Sequence, residues 1–98
     1  MDDALPIRVV LVDDQQLVRG GFTMLINSQP DLHVVAEAGN GIEAVAALRV
    51  TDADVVLMDV RMPRMDGIEA TRQILAEAGT RPDASGPRIV VLTTFDLD

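Results

Sequence analysis

Val55-Val56-Leu57-Met58-Asp59 is an apolar run that ends abruptly in a carboxylate, and Val9-Val10-Leu11-Val12 ends the same way in Asp13-Asp14. Neither run alternates apolar with polar residues, which is the pattern of strands buried on both faces of a parallel sheet. Neighbouring strands lie about 4.8 Å apart. Placed side by side, these strands bring the carboxylates of Asp13, Asp14 and Asp59 together at one end of the sheet. Such charges in one small pocket raise each other's pKa unless a cation holds them.

Outward from these runs, strands and helices alternate. Pro6 precedes a first strand, Ile7 to Val12, and Gln15 to Asn27 reads as a helix with Val18, Phe22, Leu25 and Ile26 on one face. Gly20-Gly21 inside it costs roughly 1 kcal/mol per glycine relative to alanine, which points to close backbone packing or an irregular turn. Leu32 to Ala38 alternates, with Leu32, Val34 and Ala36 on one face and His33, Val35 and Glu37 on the other, as suits an edge strand. Asn40-Gly41-Ile42-Glu43 is a capping-box pattern opening a helix with Ile42, Val45 and Leu48 inward. Asp66-Gly67-Ile68-Glu69 repeats it, and Ile68, Thr71, Ile74 and Leu75 carry that helix to Ala78, before Gly79. The stretch 79–87 is a surface connection rich in Gly, Pro and Ser, followed by a fourth strand, Ile89 to Leu92, that ends in Thr93-Thr94.

The βαβαβαβ order predicts a doubly wound α/β parallel sheet, whose ligand site lies outside the carboxyl ends of the strands. Asp13, Asp14, Asp59 and Thr93 all fall at such ends. The fourth strand is apolar throughout, so cover beyond residue 98 or from another chain is expected, as is self-association through that strand.

Bulk composition narrows the function. Ninety-eight residues make one domain, and 48% hydrophobic content with 2% aromatics requires an aliphatic core. A net charge of −8 argues against direct binding to nucleic acid or anionic membranes. There are no cysteines and no membrane-length apolar stretch, which fits a cytoplasmic domain. All eight basic residues are arginines.

Paired aspartates with a third form a hard, oxygen-only site that suits Mg2+ rather than zinc. A carboxylate beside that ion can attack a phosphoryl group to form an acyl phosphate, and the hydroxyl of Thr93 could hydrogen-bond a phosphoryl oxygen. Taken singly, each residue also has a plain structural use. Asp14 and Asp66 could cap helices, His33 reads as a surface residue, and Met58, Met62 and Met65 read as packing residues. Arg61 and Arg64 are either solvated loop charges or attractors of an anionic donor.

Val12-Asp13-Asp14, Met58-Asp59, Met62-Pro63, Met65-Asp66-Gly67 and Val91-Leu92-Thr93-Thr94 together resemble the receiver domain of two-component response regulators. The stretches DDQQLVRGGF, SQPDLHVVAEAGNG and LMDVRMPRMDGIEAT are most similar to regulators with a LuxR-type helix-turn-helix, and the likeness covers essentially the whole chain. The resemblance implies a flavodoxin-like fold with strand order 2-1-3-4, here four of the family's five strands, so residues 1–98 are expected to be a receiver domain truncated at its C-terminal end. It implies that Asp59 is the phosphoacceptor, that Asp14 binds Mg2+ directly and Asp13 through water, and that the backbone carbonyl of Arg61 is the third protein ligand. Thr93 would be the switch hydroxyl, and Met62-Pro63 and Asp66-Gly67 would shape the loop. The implied partners are a sensor histidine kinase and small phosphodonors such as acetyl phosphate, with DNA reached only through an output domain outside these residues. Such a domain is a switch rather than an enzyme.

Other functions remain in view. A haloacid-dehalogenase-like phosphatase wants an acid two residues after its nucleophile, where this chain has Arg61. A dinucleotide-binding domain needs a glycine-rich turn after the first strand, where Asp13-Asp14-Gln15-Gln16 stands. An interaction module could use the same fold without phosphorylation.

Overall fold

Parallel pairing of the apolar runs organises the chain. The computed structural model describes residues 5–62, 64–79 and 86–92. Its elements are β1 (Ile7–Val12), α1 (Gln16–Asn27), β2 (Leu32–Ala38), α2 (Gly41–Val50), β3 (Val55–Asp59), α3 (Gly67–Ala78) and β4 (Arg88–Leu92). The strands form one parallel sheet in the order β2-β1-β3-β4, with β2 at an edge as its polar intrusions require.

Pairing of Val10 with Val56 and of Val12 with Met58 stacks fully buried side chains on one face of the sheet. Ala44, Val45 and Leu48 of α2 and Ala70 and Ile74 of α3 close over them, and Met58 and Met62 are core residues as expected. Met65 packs against the same cluster, and His33 is exposed.

The inward placing of Ile42 is corrected, and the buried faces of the other helices differ from the stripes of their largest apolar residues. Ile42, Ile68 and Leu75 are exposed, and the buried positions of α3 are Gly67, Ala70, Ile74 and Ala78. Alanine and glycine carry the inner stripe because their small side chains let helix and sheet backbones approach. The bulkier residues are displaced to the flanks. In α1 only Ile26 is buried, whereas Val18, Phe22 and Leu25 are partly exposed. This helix packs mainly on β2 and to a lesser extent on β1. Gly20 and Gly21 lie within the continuous helix α1, and among the described residues no atom beyond that helix's own backbone stands within 4 Å of an added Cβ, so neither an irregular turn nor close packing explains them. The alternation in β2 also breaks: Val9 pairs with Val34 but Val10 with Ala36, leaving Val35 as the extra residue of a bulge. Val35 and Ala36 both pack against the core formed with α2 and α3.

At the sheet's far side, β4 pairs with β3, and Val90 and Val91, on opposite faces, are both more than a third exposed. No helix among the described residues is long and apolar enough to cross a membrane.

Candidate functional site

Because β1 and β3 are neighbours with Val12 level with Met58, the residues that follow them meet at the carboxyl end of the sheet. One carboxylate oxygen from each of Asp13, Asp14 and Asp59 lies within 4.8 Å of the others. Asp59 is 7% exposed, Asp13 is half-buried and Asp14 is open to solvent. The spatial convergence expected from the strand ends is therefore present.

Asp59 sits in a cost-bearing environment. Burial pushes its carboxyl pKa up first, and the charges of Asp13 and then Asp14 push the same way. The backbone N–H of Arg61 donates to it and pulls in the opposite direction, with a smaller pull from the Val60 N–H, which itself donates to Leu92 O at 3.3 Å. Mutual repulsion, the cause expected from the sequence, thus ranks behind desolvation. Its Oδ1 is buried without a hydrogen-bond partner. A buried carboxylate oxygen with no donor, facing other carboxylates, fits a hard cation; an oxygen-only set of this kind suits Mg2+.

The loop after Asp59 is tightly held. Gly67 N–H donates to Val60 O (3.0 Å), and a Cβ on Gly67 would collide with the backbone carbonyl of Asp59. Arg64 has φ of 72°, in the left-handed region. Met65 O accepts from Gly41 N–H at 3.0 Å, so the start of α2 braces this loop. Asp66 caps α3 by accepting from Glu69 N–H (2.9 Å), as expected. Asn40 likewise accepts from Glu43 N–H (2.9 Å), but Glu43 reaches back to Gly39 N–H (2.9 Å) rather than to that of Asn40.

On the β1 side, Asp13 is pinned at several atoms. Its N–H donates to Ala38 O (3.1 Å), and its Oδ1 accepts from Gln15 N–H (2.8 Å). Asp14 does not cap α1, whose N-cap is Gln15 with no side-chain cap hydrogen bond. Arg19 Nη1 donates to the backbone carbonyl of Asp13 (2.6 Å), while its Nε donates to Glu37 Oε1 (3.1 Å). The sequence reading missed Arg19. A signal existed: a cation near the N-terminus of a helix opposes the helix dipole and needs a reason to be there. Of the residues singled out from sequence, Arg61 is exposed and its peptide adjoins Asp59, while Thr93 and Pro63 lie outside the described residues.

A parallel α/β sheet with an acid pair after β1 and a buried aspartate ending β3 defines a signalling-type receiver fold. The sequence profile of the response regulator receiver domain matches residues 9–97. The chain belongs to that family. It is 48% identical over 92 residues to the uncharacterized transcriptional regulatory protein YxjL of Bacillus subtilis, covering 94% of this chain and 39% of that protein. To the transcriptional regulatory protein LiaR of the same organism it is 46% identical over 89 residues, covering 91% and 39% respectively. Among solved structures, a LuxR-family two-component response regulator from Aurantimonas sp. SI85-9A1 superposes with a TM-score of 0.80 at 40% identity, covering 93% of this chain and 61% of that one. The chain spans about two-fifths of the length of these curated relatives.

Proposed function

We propose that this receiver domain is a phosphoacceptor switch in which Asp59 takes a phosphoryl group from a sensor histidine kinase or a small donor such as acetyl phosphate. The observation that carries this reading is the buried, unpartnered Oδ1 of Asp59 beside the carboxylates of Asp13 and Asp14. Asp13, Asp14, Asp59 and the backbone carbonyl of Arg61 are proposed to hold Mg2+. When bound, that ion supplies neutralising charge for the transferring phosphoryl group.

In this mechanism an Asp59 oxygen forms the new O–P bond as the bond from phosphorus to the donor's nitrogen or oxygen breaks, and the donor leaves with that electron pair. The N–H of Arg61 donates to the Asp59 carboxylate and helps hold it in one orientation for attack. Burial excludes competing water from most of the group. Thr93 is proposed to hydrogen-bond the transferred group and so report its presence. The output is proposed to be an attached DNA-binding transcription regulator, in keeping with the names of the relatives. A cytoplasmic location follows from a kinase donor.

Incubation of the protein with Mg2+ and acetyl phosphate, followed by intact mass, tests this reading. One phosphoryl adduct that is absent in Asp59→Asn is expected. No adduct on the intact protein would replace the switch with a non-phosphorylated interaction module.

A further inference from the structure

Receiver-type chemistry accounts for the acids of the site but not for the cation that stands behind them. We propose that Arg19 is a positioning residue for cation binding, anchoring the peptide between Asp13 and Asp14 so that both carboxylates stay turned toward Asp59. This role rests on the Mg2+ reading given above and deepens it.

Asp13 and Asp14 share one peptide plane, and the direction of both side chains depends on how that plane is held. Asp13 N–H is fixed to Ala38 O, and the Arg19 guanidinium fixes the carbonyl of the same residue at 2.6 Å. Arg19 is itself aimed from β2 by Glu37 at 3.1 Å, and its Nη1 lies against Gly39 at the turn into α2, 3.4 Å from where a Cβ would stand. Its side chain is only 19% exposed. One side chain thus ties the β1–α1 loop to the end of β2. Without it, repulsion among the acids would be relieved by rotating the 13–14 peptide and spreading the cup. With it, the cup is held together before a cation arrives.

The sign of the effect separates positioning from simple electrostatics. Removing a positive charge near a cation site should tighten binding if charge alone matters. Removing an anchor should weaken it. Calorimetric titration of the intact protein with magnesium chloride is expected to show roughly tenfold or greater weakening in Arg19→Gln, the usual scale for loss of a partner behind a metal ligand. Arg19→Lys should recover part of the affinity, because an ammonium can reach the carbonyl but cannot fork to Glu37. The weakening should persist at about 0.5 M salt, where charge effects between exposed groups are screened.

Affinity that is unchanged or tighter in a folded Arg19→Gln variant overturns the role, even where thermal stability falls. If that variant does not fold, Arg19→Lys decides. Weaker magnesium binding at unchanged melting temperature supports positioning, and wild-type affinity overturns it. A wild-type protein that binds no magnesium overturns the reading of the site itself, and this role with it.

Discussion

Asp59 carries an energetic burden in the metal-free protein that follows from where β3 ends. Its carboxyl is pushed up from its ordinary value by burial and by Asp13 and Asp14. A group whose pKa is raised on folding binds protons more readily in the native state, so stability falls as pH rises from the ordinary carboxylate value through the shifted one. Asp59→Asn is therefore expected to stabilise the magnesium-free protein at neutral pH, seen as a higher melting temperature than that of the wild type. Magnesium should raise the melting temperature of the wild type but not of the variant. A variant that melts lower without magnesium would contradict this account. The opposite sign holds at the other end of β1. Arg8 beside Asp54, bidentate at 3.0 and 3.2 Å, holds that carboxyl at about 2, below its ordinary 3.8. Its contribution is present above the ordinary value and is lost as pH falls from 3.8 toward about 2. Both groups are exposed, so the effect is modest: Asp54→Asn should flatten the dependence of melting temperature on pH within that window, and an unaltered slope would dismiss the pair. At this scale the sequence exposed the acids, because strand ends are readable from where apolar runs stop. Arg19 escaped because its contact with Asp13 depends on the path of α1 past β2 and not on any local pattern.

Helix faces were less legible than helix spans. All three helices lie within a residue of where their apolar periodicity and caps place them. In α3 bulk does not report burial: Ala70 and Ala78 sit inside, while Ile68 and Leu75, whose periodicity marks the helix, sit outside. This difference is measurable. Ile74→Ala leaves a cavity under β3 and α2 and should cost ~2–5 kcal/mol by chemical denaturation. Leu75→Ala, half-exposed one position further on, should cost less than about 0.5 kcal/mol. Equal costs would mean that α3 is rotated from the orientation described. The bulge at Val35 was equally hidden, since an extra residue in one strand follows from the pairing of β2 with β1 and leaves no local signature in a run of valines and alanines.

Strand order was legible from run type only in part: it marks the β2 edge and the β1–β3 centre, whereas the uniformly apolar β4 reads as an interior strand and yet takes an edge, so the full order rested on the family resemblance. β2 carries His33 and Glu37 and takes one edge, while the uniformly apolar β1 and β3 take the centre. The two edges are unlike. On the β4 side Val90 and Val91 leave apolar area on both faces of the sheet, no strand among the described residues pairs with the outer edge of β4, and a parallel edge of this kind is a template for another strand. Net charge of −8 opposes association in general but is not concentrated there: β4 itself carries only the cation Arg88. The 98-residue chain is therefore expected to self-associate, giving a mass above 10.5 kDa by light scattering that rises with concentration. Added salt should strengthen the association by screening the like net charges. Val91→Lys places a charge on the edge strand and should return the protein toward its monomer mass, as lysine does on natural edges. The equivalent change at exposed Val50, at the end of α2, should not. A monomer at every concentration and salt would show that β4 is protected without a partner. Dissociation by the Val50 change as readily as by the Val91 change would place the contact elsewhere than at β4.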